Sequence, residues 1–151
     1  MKNMNTFKTS MVTLSVSDGT SMNAYVAQPE QTRDTPGILI LQEAYGVNAH
    51  IRDIAERFAR EGYVAIAPEL YHRTAPGFQA AYTDFETAKP HMLAMTDDGL
   101  EADLHAAHDW LRQGGITEAH IHAIGFCICF GSSCTIIKCV SHQFDLYITI
   151  P

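Results

Sequence analysis

Residues 37–68 read GILILQEAYGVNAHIRDIAERFAREGYVAIAP, and this stretch decides the fold. Gly37-Ile38-Leu39-Ile40-Leu41 is a continuous apolar run, the pattern of a strand buried on both faces of a sheet covered by helices. Asn48 offers a side-chain cap for a helix. In that helix Ile51, Ile54, Ala55, Phe58 and Ala59 recur at three- and four-residue spacing and form one apolar stripe. Gly62 supplies the left-handed residue that suits a helix C-terminus. Tyr63-Val64-Ala65-Ile66-Ala67-Pro68 is then a second apolar run. Strand, helix and strand within about 30 residues make a βαβ unit, hence a parallel sheet.

Upstream, Val12 to Val16 and Met22 to Ala27 alternate apolar and polar residues around a Ser17-Asp18-Gly19-Thr20 turn, the signature of an antiparallel hairpin. Gln28 to Pro36 is a polar loop. Downstream, Glu69 to Phe78 leaves the carboxyl end of the second buried strand, where open α/β sheets carry their sites. Residues 82–95 read as helix broken at Pro90. Thr96-Asp97-Asp98 starts a further helix whose buried face is Leu100, Leu104, Ala107, His108 and Leu111, and Gly114-Gly115 stops it. Ile116 to Ala119 connects to a third buried strand, Ile121 to Phe126. After it, Thr135-Ile136-Ile137 is a β-branched run that suits a helix poorly, and Phe144 to Ile150 reads as a last strand.

The bulk numbers agree with one globular unit over residues 1–151: 46% hydrophobic and 18% charged residues. Seventeen acids against ten Lys and Arg leave a net charge of -7, which argues against nucleic acid and anionic membrane surfaces as partners. The first residues, Met1 to Lys8, lack the apolar core of a secretory signal, and no apolar run approaches the ~18 residues of a membrane span. The expected compartment is cytoplasmic, where thiols stay reduced. All four cysteines fall between Cys127 and Cys139, too close together to staple the whole chain.

The third strand runs into Gly125-Phe126-Cys127-Ile128-Cys129-Phe130-Gly131-Ser132. A strand entering a Gly-x-Cys turn has the layout of a nucleophile elbow with cysteine in the serine position. Two other stretches join it: Leu41-Gln42-Glu43-Ala44-Tyr45-Gly46-Val47-Asn48 and Leu70-Tyr71-His72-Arg73-Thr74-Ala75-Pro76-Gly77. Taken in chain order, with the Gly125-Phe126-Cys127 turn last, and from about residue 10 to 127, these three motifs resemble the dienelactone hydrolase (carboxymethylenebutenolidase) family.

The resemblance implies an α/β-hydrolase fold: a mostly parallel sheet with helices on both faces and an N-terminal antiparallel hairpin, incomplete at its C-terminal side. It implies cleavage of a small ester or lactone through a thiol acyl-enzyme, with a Cys-Asp-His triad and no cofactor or metal. Glu43 would sit beside the thiol and help ionise it. The Ala44 backbone amide would help line the oxyanion hole, Tyr45 would line the pocket, and Arg73 would bind a substrate carboxylate. The chain departs from the pattern at the elbow. With Cys127 as nucleophile, the preceding glycine is present as Gly125 but the following one is replaced by Cys129. With Cys129 as nucleophile, Gly131 is present but Cys127 replaces the preceding glycine. Strand register from Ile121 favours Cys127. The family's triad aspartate and histidine fall beyond Pro151, and neither His142 nor Asp145 replaces them.

Each candidate also has a plain structural reading. Cys127 suits a core position, Glu43 a solvated loop, Arg73 a surface pair with Glu69, and Tyr45 simple packing. Three functions follow: a family hydrolase impaired by the absent triad members, an inactive truncated fragment, or a C-terminal thiol-rich metal or redox module. The C-x-C-x4-C-x4-C spacing matches no common zinc module, and His105 and His108, one turn apart on a helix, read as surface or part-buried imidazoles.

Overall fold

The computed structural model describes residues 6–32 and 34–125 in full, and beyond them the strand backbone of residues 128–130, 133–137 and 146–148. The chain first forms β1 (Phe7–Ser15) and β2 (Ser21–Pro29), paired antiparallel from Phe7 opposite Pro29 to Ser15 opposite Ser21. The hairpin is longer than side-chain alternation predicts. Lys8, Thr9 and Ser10 are exposed, and backbone pairing carries β1 across them as an edge strand.

The βαβ unit forms as its sequence dictates. β3 (Gly37–Leu41) and β4 (Val64–Pro68) are buried throughout and pair in parallel. Between them α1 (Ala49–Arg60) is capped by Asn48, whose Oδ1 accepts the Ile51 N–H at 3.1 Å. Its end is a Schellman turn: Gly62 at φ +99° donates to Ala59 O, and Tyr63 donates to Phe58 O.

Helix α2 (Phe85–Leu93) continues through Pro90 rather than breaking there. Proline lacks one donor, but the short helix is held at its ends by Thr87 N to Asp84 Oδ1 and Ala94 N to Pro90 O. Helix α3 (Asp97–Gln113) is capped by Thr96 and closed by a second Schellman turn at Gly114-Gly115. A single 3-10 turn, Glu118–His120, leads to β5 (Ile121–Gly125).

The five-stranded sheet has the order β1-β2-β4-β3-β5. Its two left-hand pairs are antiparallel and its two right-hand pairs parallel, so four of the five strands share one direction. Strand alternation divides the core in two. Ile38, Ile40, Ala65 and Ala67 face α1 with Ile51, Ile54, Ala55 and Ala59. Leu39, Leu41, Val64 and Ile66 face α3 with Leu100, Leu104, Ala107 and Leu111. Helices therefore cover both faces.

Further on, β6 (Ile128–Phe130), β7 (Ser133–Ile137) and β8 (Leu146–Ile148) form a separate antiparallel sheet. The expected last strand thus exists but pairs outside the main sheet. No helix among the described residues is long and apolar enough to cross a membrane.

Candidate active site

Strands β3, β4 and β5 end at one rim because they run parallel, and the register sets Leu41 opposite Gly125. The chain leaving β3 there forms the Gln42–Asn48 corner. Gln42 is only 2% exposed and braces it from within. Its Oε1 accepts the Leu70 N–H at 2.9 Å, and its Nε2 donates to Glu43 O at 3.2 Å. A buried amide directly after an apolar strand therefore ties the exit of β3 to the exit of β4.

The corner is also held from outside. Glu43 and Gly46 form a bridge, and Gly46 bridges onward to Gln79. Ala80 N donates to Tyr45 O at 3.2 Å. Gly46 has φ +79°, and a Cβ there would run into the Phe78 carbonyl oxygen, so glycine is required by both conformation and space. The Tyr71 hydroxyl donates to Ala44 O at 3.1 Å. Burial pushes the Tyr71 phenol up to about 12, so it stays a donor at neutral pH.

Glu43, Ala44 and Tyr45 are thus brought together at the rim. The Tyr45 ring meets Tyr82 edge-on at 4.8 Å, and Tyr82 meets His50 at 6.4 Å. Tyr82 is 54% exposed and forms an aromatic shelf beside Glu43. Its phenol pKa is raised, by desolvation first, with the hydrogen bond to Glu43 adding to it.

Arg73 belongs to a different network. Its Nη1 and Nη2 form a bidentate pair with Asp103 Oδ2 and Oδ1, both at 2.9 Å. Its Nε and Nη2 donate to Asp18 Oδ2 at 2.8 and 2.6 Å. The expected surface pairing with Glu69 is not formed: Glu69 is buried, and its Oε2 accepts the Gly77 N–H at 3.0 Å. Burial raises the Asp103 pKa despite Arg73, whereas hydrogen bonds from Thr20 and Arg73 hold Asp18 well below the usual carboxylate range. His72 is buried beside them, with Nε2 2.9 Å from Thr20 Oγ1 and Nδ1 3.7 Å from Asp103 Oδ2.

Cys127 lies outside the described residues, as do His142 and Asp145. Cys129 lies in β6, where only the strand backbone is described. Among the described residues no three His, Cys, Asp or Glu side chains gather as a metal site. Sequence reasoning missed Gln42, Tyr71, Asp18 and Asp103. Asp103 left a signal: it interrupts the apolar face of α3 between Leu100 and Ala107, where a charge needs a buried partner.

The model of the dienelactone hydrolase family matches residues 22–146. A Synechocystis sp. protein named "Putative carboxymethylenebutenolidase" is 36% identical over 123 residues, covering 80% of this chain and 50% of its own. An Escherichia coli K12 protein of the same name is 39% identical over 113 residues, covering 74% and 41%. The crystal structure titled "Putative Dienelactone Hydrolase" from Klebsiella pneumoniae superposes with a TM-score of 0.69 at 32% identity, covering 82% of this chain and 51% of that one. The chain spans about half the length of the relatives it matches.

Proposed function

The chain belongs to the dienelactone hydrolase family, and on that premise we propose that it carries the nucleophile side of a site for cleaving a small ester or lactone. Residues 1–151 are taken as one partial domain of that fold. In this reading the Cys127 thiolate attacks the carbonyl carbon, the alkoxide leaves, and an acyl-thiol remains. Cys129 is the alternative nucleophile. Glu43 promotes ionisation of the thiol, the Ala44 amide receives the developing oxyanion, and Tyr45 walls the pocket.

The observation that carries the proposal is the register of β3 against β5. Leu41 stands opposite Gly125, so Glu43 and residue 127 each follow, by two residues, strand ends that are neighbours at one rim. The Gln42 and Tyr71 hydrogen bonds hold the Glu43-Ala44 segment at that rim. A preorganised corner of this kind is what charge stabilisation needs. The resemblance puts the triad aspartate and histidine beyond Pro151. Acylation, the half-reaction this rim serves, needs a thiolate and oxyanion donors, whereas release of the acyl group needs a base that activates water.

The test is p-nitrophenyl acetate with the full chain. Expected are release of one equivalent of p-nitrophenolate and one acetyl group on the peptide bearing Cys127. Cys127→Ala should abolish both and Cys129→Ala should leave them. The reverse pattern moves the nucleophile to Cys129. Acetylation of neither thiol sinks the hydrolase reading.

A further inference from the structure

We propose that Arg73 is a positioning residue that fastens the post-β4 loop, and that the ester or lactone taken at this rim carries no carboxylate for it to read. The second half deepens the proposed hydrolase reading and rests on it; the first half does not.

All three guanidinium nitrogens already donate. The planar fork faces Asp103, and the remaining edge faces Asp18. Such charge-assisted, bidentate geometry is the strong form of this interaction. Both two-nitrogen edges of the guanidinium are taken, so a substrate carboxylate could bind it bidentately only by displacing one of the two carboxylates that the fold itself supplies.

The surroundings fit fastening better than binding. Asp103 is 1% exposed, and Arg73 gives this buried carboxylate its two short hydrogen bonds, with His72 Nδ1 farther off at 3.7 Å. Gly99 lets α3 come close: a Cβ there would stand 3.3 Å from Arg73 Nη1 and 2.9 Å from Thr96 Oγ1. The crevice lined by Tyr71, Arg73, Thr74, His91 and Asp103 holds only about 100 Å³, below the ~300 Å³ at which ligand pockets begin. Arg73 thus joins three segments distant in sequence: the β1–β2 turn, the loop after β4, and α3. His72 adds a second link through Thr20.

The experiment follows the Arg73 Nε–H resonance by 15N NMR in the full chain, with sodium maleate as the anionic probe and 2(5H)-furanone as the neutral one. The expected result is a slowly exchanging Nε–H that does not move with maleate. A saturable maleate-dependent shift would overturn the proposal. Arg73→Lys keeps the charge but loses the fork, and should lower the melting temperature; an unchanged melting temperature would overturn the fastening role. If Arg73→Ala does not fold, the lysine variant and the wild-type resonance still decide.

For the substrate half, acylation by p-nitrophenyl acetate is compared with acylation by mono-p-nitrophenyl succinate. The neutral ester should react at least as fast, with the same ratio in Arg73→Lys. A preference for the anionic ester that disappears in the variant would show that Arg73 reads the carboxylate after all. Failure of both esters to acylate any thiol removes the hydrolase reading and the substrate half with it, while the resonance and melting results stand by themselves.

Discussion

Gln42 Oε1 accepts the backbone N–H of Leu70 at 2.9 Å, and this bond joins the ends of two neighbouring parallel strands. It is buried, so neither partner has water as a substitute. Gln42→Ala leaves the Leu70 N–H without its acceptor and should destabilise the fold by about 1–3 kcal/mol. Urea unfolding of the variant measures this. An unchanged midpoint would show that the bond contributes nothing to the rim.

Gly46 combines positive φ with a Cβ direction blocked by the Phe78 carbonyl, whereas Gly62 has positive φ and open space. Gly62→Ala should cost on the order of 1 kcal/mol from conformation alone. Gly46→Ala should cost more, and should also shift the backbone resonances of residues 43–46 and 78–80. Equal effects of the two substitutions would contradict the close approach seen here.

The Tyr71 phenol is pushed up to about 12 by burial, from an ordinary value of 10.0. Between those values the folded chain keeps a proton that the unfolded chain releases. Stability from this group is therefore complete below pH 10 and falls as pH rises through about 12. Tyr71→Phe should flatten that alkaline decline in unfolding measurements while losing the bond to Ala44 O. A decline of the same size in the variant would assign it to another group.

Asp18 gives the opposite sign. Hydrogen bonds from Thr20 and then Arg73 lower its pKa from an ordinary 3.8. Its contribution is present above that value and is lost as acidification below it brings the folded carboxylate toward protonation. Asp18→Asn should be less steeply acid-sensitive below pH 3.8 than the parent chain. Parallel acid limbs would mean that the Asp18 contacts do not persist in solution.

Glu43→Gln keeps the size and removes the carboxylate proposed to accept the thiol proton. Acylation by p-nitrophenyl acetate at neutral pH should slow by about a hundredfold, the low end of what a positioned base supplies. The deficit should shrink at alkaline pH, where the thiol ionises without a base. An equal deficit at every pH would assign Glu43 to shape rather than to ionisation.

Local features explain why so much of the architecture was readable. The apolar runs of β3 and β4, the stripe of α1, the Asn48 and Thr96 caps, and the stops at Gly62 and Gly115 are all near-neighbour patterns. Each element's own period and end chemistry dictates them. Pro90 misled because a missing donor weakens a helix without forbidding a short one held at both ends. The hairpin was read too short because backbone pairing does not require apolar side chains.

The sequence by itself determined the βαβ frame, the resemblance carried by its motifs, and the nomination of the Glu43 corner. Only the tertiary structure decided that Arg73 turns to Asp18 and Asp103, which are 55 and 30 residues away, and that Gln42 spans 28 residues to Leu70. The reason is physical. Periodicity reports which face of an element is apolar, and that is set within a few turns of chain. The partner of a charge or an amide is set by which distant segments packing brings within hydrogen-bond reach, and desolvation then makes that pairing obligatory.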